Sequence, residues 1–276
     1  MANLNRIAKS GNDWNQYHLE AYNIHLQFEN RTTFFGKSNL PPPQIDEEIL
    51  TTLEAEDMLS DHNAELIHLL NLAMYPVSAG ETALNDFTVE LLRQLSYVKR
   101  NRIAHTQKDI PHLVCGEWRH TRNDICLLDC LNDWEILLLI QEIKKLKIED
   151  SLDPEAPLIA KAIGAFDQNN RVRLEKGKAI MESKACGSHK SSGFPYSLAI
   201  QIMPGILMGG TIPTFYKIPV TTNLVYNILQ GTYPSEPTIV SVHRLNLPSQ
   251  TYGMKPLDNR QRVLCCFEAF KNIIGI

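Results

Sequence analysis

Residues 123–145 read NDICLLDCLNDWEILLLIQEIKK. Two apolar runs, 125–128 and 136–140, flank a polar segment that holds Asn132 and Asp133. Each run is too short for a helix and is bounded by polar residues, so the pattern predicts two strands joined by a turn. Asp124 enters the first strand, and Glu142 and Lys144 leave the second. Successive strand side chains alternate between faces, so Glu142 and Lys144 project to the same side. An antiparallel hairpin then folds Asp124 back toward them. The expected product is a cluster of two carboxylates and one ammonium.

Two carboxylates a few ångströms apart repel unless a cation lies between them, and hard oxygen ligands suit Mg²⁺ or Mn²⁺. A metal held this way lowers the pKa of a bound water and polarises a phosphodiester, while a neighbouring lysine orients the nucleophile or neutralises developing charge. Asp124, Glu142 and Lys144 are therefore the candidate catalytic set, with Asp124 and Glu142 as candidate metal ligands. A solvated strand end would carry the same residue types, so the neighbouring elements have to decide.

Upstream, residues 81–97 form a helical pattern in which Leu84, Phe87, Leu91 and Leu95 share one stripe and Glu90 borders it. The window 97–108, YVKRNRIAHTQK, is the most basic in the chain, with Lys99, Arg100, Arg102, His105 and Lys108. It reads as a connecting loop that could hold a phosphate backbone. Residues 111–119 read as a first core strand. Downstream, Pro154 and Pro157 mark the start of a helix over 155–170, with Lys161 and Gln168 as its polar candidates. Residues 171–197 lack apolar periodicity and read as an insertion. The runs at 200–211 and 214–220 surround glycines and predict a hairpin. A short helix over 221–230, an edge strand at 237–244 and a closing helix at 257–274 complete the chain.

A helix, a strand, an Asp-bearing strand, a strand ending in Glu-x-Lys, a helix and further strands resemble the PD-(D/E)XK, or restriction-endonuclease-like, nuclease core over residues 81–220. Asn123 stands where that superfamily often carries a proline. Most of the chain also resembles an uncharacterised family of proteins from mushroom-forming fungi, through TFFGKSNLPPP (33–43), AELIHLLNLAM (64–74), the Glu-x-Lys strand, PGILMGGTIPTFYKIPV (204–220) and GMKPLDNRQRVLCCFEAFK (253–271). The resemblance implies an α/β fold with a mixed sheet flanked by helices. It also implies Glu90 as a third metal-binding acid, and metal-dependent hydrolysis of nucleic acid with Lys99, Arg100, Arg102 and Lys108 on the backbone. A catalytically silent relative acting as a binding or accessory factor would share the fold.

The 276 residues, 43% hydrophobic and 21% charged, describe an ordinary globular chain. Two regions are expected: an N-terminal arm with acidic helices over 1–80, ordered from about Trp14, packed on a core over 81–276. The formal net charge of −4 gives no global attraction to nucleic acid, so any such contact must be local. The cysteines at 115, 126, 130, 186, 265 and 266 lack the spacing of a disulfide framework or a zinc site, which places the protein inside the cell, in cytoplasm or nucleus, rather than among secreted proteins. No apolar run spans a membrane, and no Walker or GxGxxG loop implies a nucleotide cofactor. The acidic face formed by Glu47, Glu48, Glu54, Glu56, Asp57 and Asp61 would repel a nucleic-acid backbone and suits solvent or a protein partner.

Overall fold

The hairpin expected from the sequence forms two inner strands of a single seven-stranded sheet. The computed structural model describes residues 7–74, 82–143, 153–180 and 200–276. In chain order the elements are α1 (Gln16–Ala21), β1 (Ile24–Phe28), α2 (Arg31–Phe35), α3 (Glu47–Thr51), α4 (Asp61–Met74), α5 (Ala83–Gln94), β2 (Arg102–Val114), β3 (Glu117–Asp129), β4 (Glu135–Glu142), α6 (Glu155–Glu175), β5 (Ile200–Gly209), β6 (Ile212–Thr221), α7 (Thr222–Gln230), β7 (Thr238–Arg244) and α8 (Leu257–Ile274). The strands run β1-β7-β6-β5-β4-β3-β2 across the sheet. The β1–β7 and β4–β5 pairs are parallel and the others antiparallel. A parallel pair needs a long crossover, and the segment containing α6 supplies it between β4 and β5.

Both faces of the sheet are covered, which makes a three-layer α/β domain. One face packs against α1, α6 and α7 through Leu19, Leu158, Ile159, Phe166, Leu224 and Ile228. The other packs against α2 to α5 and α8 through Phe34, Ile49, Leu70, Phe87, Leu91, Phe267 and Phe270. The interior strand β4 therefore sends side chains into both layers, with Leu139 in the first and Leu138 and Ile140 in the second. That accounts for its unbroken apolar run, since a strand covered on two faces need not alternate. Burial of each such side chain contributes on the order of 1.5–3 kcal/mol. Gly164 lets α6 sit close to β2, because a Cβ there would stand 3.2 Å from both His112 Cβ and Ile110 Cγ2.

Four expectations from the sequence change. The basic window 97–108 is not a loop, because β2 begins at Arg102. Residues 111–119 are not one strand: Cys115 and Gly116, with φ of +51° and +78°, form a tight turn between β2 and β3. Two successive positive φ values are the geometry of a type I′ hairpin turn, which usually announces itself with Asn or Asp rather than Cys. The strand at 238–244 is not an edge. β1, polar at His25 and Gln27 and too short to show a pattern, lies outside it in parallel register. Finally, α6 continues to Glu175, five residues past the predicted end, aided by the Arg171–Asp167 ion pair at 3.1 Å.

The segment before residue 81 thus contributes a strand to the sheet as well as helices packed on it. Residues before Trp14 are also built in. Gly11 is buried, and a Cβ there would meet Thr121 Oγ1 at 3.0 Å and Ala160 Cβ at 3.2 Å. The residues around α3 are held by Arg260 of α8, which is 1% exposed. Its guanidinium donates to the carbonyls of Ile49 (2.9 Å), Thr52 (2.8 Å), Leu53 (3.2 Å), Met254 (3.4 Å) and Lys255 (3.2 Å). Burial lowers its pKa to about 10, which leaves it charged at neutral pH. Arg260→Met should cost about 3 kcal/mol or more, because it strips a charged donor from these five carbonyls. Arg260→Lys should recover little of that, since an ammonium lacks the planar fork. Urea denaturation measures both, and a loss below about 1 kcal/mol for the Met variant would refute the clamp.

Candidate active site

The open end of the β3–β4 hairpin brings Asp124 to Glu142. The two strands pair from Ile125↔Ile140 to Asp129↔Glu135, and Asp124 stands one residue before the first of these pairs. Its Oδ2 accepts the backbone N–H of Glu142 at 2.9 Å. The carboxylate therefore bridges the strand end instead of pointing into either core.

A local distortion makes that orientation possible. Gln107 of β2 lies across from Asp124, between the paired steps Thr106↔Ile125 and Lys108↔Asn123. Its φ is +54°, a left-handed conformation that costs a non-glycine residue on the order of 1 kcal/mol. Side-chain alternation reverses across this step in both strands. On β2, Ile110 and Val114 face the α6 layer, and so does Ile103, an odd number of residues away. On β3, the Asn123 side-chain amide reaches Cys126 Sγ at 3.2 Å, although a regular strand would put residues three apart on opposite faces. Such irregularities re-aim side chains, and here the residue at the changeover is Asp124.

Around this point lies a cleft of about 590 Å³. The strands contribute Gln107, Arg122, Asp124, Gln141, Glu142 and Ile143. The start of α6 contributes Asp153, Pro154, Pro157 and Lys161; Thr82 and Asn85 come from the start of α5, and Asn12 from the N-terminal turn. Lys161 is 4% exposed, and its Nζ donates to Gln141 Oε1 at 2.9 Å. Gln141 in turn donates to the Pro154 carbonyl at 3.3 Å. The buried lysine and glutamine thereby fix the spacing between β4 and α6. Beside the cleft, Glu155 is 5% exposed. It accepts from Arg244 at 2.6 Å and from the Tyr216 hydroxyl at 3.2 Å. Burial works to raise the Glu155 carboxyl, but the neighbouring Asp153 side chain and Arg244 hold it below its usual range. Burial, followed by the Glu155 side chain, pushes Asp153 up to about 6.

The candidate residues separate. Asp124 and Glu142 share the cleft, and Lys144 lies outside the described residues. Glu90 is not brought there. Its carboxylate, 5% exposed, pairs with Arg93 at 3.2 Å and with His62 of α4 at 3.7 Å. On α5, Glu90 is five residues past the cleft-lining Asn85, roughly 140° around the helix and about 7.5 Å further along it. Of the basic candidates, Lys108 adjoins Gln107. Lys99, Arg100 and Arg102 precede the strand or begin it, so that Arg102 is about 17 Å along β2 from Gln107. Arg122, Lys161 and Asp153 are cleft residues that the strand pattern alone did not single out. Arg122 could have been found by its position two residues before Asp124. Placing Lys161 and Asp153 required the helix register.

Among the described residues no group of three His, Cys, Asp or Glu side chains is placed to hold a metal ion. Two carboxylates are nevertheless compatible with Mg²⁺, which keeps several waters and is held by one or two carboxylates together with substrate phosphates. The residues that would hold it are Asp124 and Glu142. The chain matches no protein-family model and no curated protein.

The bond from Glu142 N–H gives Asp124 a structural role that can be separated from its charge. Asp124→Ala should lower unfolding free energy by about 1–2 kcal/mol, whereas Asp124→Asn keeps an oxygen acceptor and should lose less. Equal losses in chemical denaturation would show that this bond does not hold the strand end.

Proposed function

We propose that this chain is a PD-(D/E)XK-type protein that hydrolyses phosphodiester bonds in nucleic acid with Mg²⁺ or Mn²⁺. The observation that carries the reading is the Asp124 carboxylate bound to the backbone of Glu142 at the mouth of a cleft that also contains Lys161 and Arg122. The chain order α5-β2-β3-β4-α6-β5 supports it, since the resemblance places the acidic strand ends between two helices.

When bound, the metal would acidify a water and withdraw charge from the phosphoryl oxygens. Asp124 and Glu142 would supply its anionic ligands. Arg122, exposed at the cleft, and Lys108 beside it would contact the phosphate backbone and set its register. Lys144, two residues beyond Glu142 on the chain, is proposed to orient the attacking water. Lys161, held by Gln141, sets an Nζ donor in the wall where negative charge would develop. Lys99, Arg100 and Arg102 would reach more distant phosphates.

A second reading, a silent nuclease-fold binding protein, is favoured by the position of Glu90, which leaves Asp124 and Glu142 without the third acid expected from the helix. The acidic surface of α3 and α4 would then serve a protein partner.

The test is cleavage of supercoiled plasmid, linear duplex, single-stranded DNA and RNA with Mg²⁺ or Mn²⁺. Asp124→Asn and Glu142→Gln should each lower kcat/KM by about a hundredfold or more, as should Lys144→Ala. Mn²⁺ at about a hundred times its Kd should stabilise the wild type by about 2.7 kcal/mol, an effect lost in Asp124→Asn. No cleavage of any substrate together with no Mn²⁺-dependent thermal shift would overturn the hydrolase reading in favour of the second.

A further inference from the structure

The two acidic residues at the start of α6 have unequal surroundings. Glu155 is 5% exposed and is held from two strands, by Arg244 of β7 at 2.6 Å and the Tyr216 hydroxyl of β6 at 3.2 Å. Asp153 is half-buried and lines the cleft that holds Asp124 and Glu142. It accepts the backbone N–H of Glu155 at 3.3 Å, so the two carboxyl groups are neighbours. Two neighbouring carboxyl groups oppose each other's ionisation, which favours a proton on one of them. Arg244 and Tyr216 donate to Glu155 and stabilise its negative charge, so a proton taken up by the pair belongs on Asp153. Proton and cleft are then on the same side of the pair.

Resting on the phosphodiesterase reading above, we propose that Asp153 is the general acid of this cleft, the group that protonates the leaving oxygen. The water oxygen forms the new bond to phosphorus, and the bond from phosphorus to the leaving oxygen breaks with its electron pair passing to that oxygen. Asp153 gives its proton to this oxygen, so the product departs as an alcohol rather than an alkoxide. The proton lost by the attacking water passes to solvent, and solvent restores the proton on Asp153.

Separate environments that drive two carboxyl groups apart are the usual way acid and base roles are divided. Burial and Glu155 bring Asp153 up to about 6, near enough to neutrality for donation. Among the described residues, the charged or titratable groups around it are Glu155 and Lys161 on α6, Tyr216 on β6 and Arg244 on β7, with Glu142 on β4 and Asp124 and Arg122 on β3 lining the same cleft. The sign follows from the role: Asp153 is useful only while protonated. Its contribution therefore declines as pH rises through about 6.

The experiment compares two substrates with wild type and Asp153→Asn, in Mg²⁺ or Mn²⁺. One is a dinucleotide, whose sugar alkoxide needs a proton to leave. The other is a nucleoside p-nitrophenyl phosphodiester, whose leaving group departs unprotonated. Asp153→Asn should slow the dinucleotide by about a hundredfold and the aryl ester by less than about threefold. The contrast should narrow as pH rises above 6, where wild type loses its acid. At pH 8 the variant should melt no lower than wild type, because it removes a carboxylate whose ionisation is opposed by its surroundings. Equal slowing of both substrates, or of neither, would overturn the assignment while leaving the hydrolase reading intact. A wild-type protein inactive on both would overturn the two together.

Discussion

The step at Gln107 and Asp124 is the constraint to which the rest of the sheet is fitted. β2 supplies Ile103, Ile110 and Val114 to the layer beneath α6, and β3 supplies Cys126 and Leu128, but from Ile125 onward β3 must also fill the layer beneath α5 and α8. A strand of period two cannot change the parity of its buried set without a defect. The defect falls where β4 ends, so that it removes no pairing from the hairpin core. Its local cost is the positive φ of Gln107, and its product is an acidic side chain turned toward the neighbouring strand.

This also explains what could be read from the residues alone. The β3–β4 hairpin was legible because its apolar runs had strand length and a polar turn, and β5–β6 because glycine marked the reversal. The parity change was not, since Asn123, Asp124 and Ile125 follow an ordinary polar-to-apolar transition. The Asp124–Glu142 neighbourhood could still be anticipated, because it depends on antiparallel pairing and the shift is local. Glu90 failed for a different reason. Its position at the edge of an apolar stripe specified a half-buried face of α5 but not whether α4 or the sheet would cover it. α4 does, and its His62 takes the carboxylate. Lys161, set in a helix with apolar residues all round, carried no amphipathic signal; fourteen residues of α6 are buried.

The electrostatics are local despite the acidic total. Glu155 with Arg244, Lys161 with Gln141 and Arg260 with its carbonyls are separate solutions to one difficulty, a charge removed from water. They differ in what they leave exposed. Arg260 is spent on backbone carbonyls and links segments distant in sequence. Lys161 and the Asp153–Glu155 pair retain polar groups at a cleft wall, where a bound anion or a developing charge would meet them. This distinction separates a structural buried charge from a candidate functional one more reliably than burial does.

Helix α6 connects the two ends of this arrangement. At its far end the Asn169 side chain accepts from the Ile136 N–H and donates to the Ile136 carbonyl, both at 3.0 Å, while Arg173 is ion-paired with Glu135. At its near end Lys161 meets Gln141. The helix is thus pinned to both ends of β4, and sliding it along the strand would break contacts at each. A hairpin alone would fix only Asp124 and Glu142. Because β4 is braced by α6 at both ends, the wall carrying Asp153 and Lys161 is held against those carboxylates by the same interactions that secure the sheet.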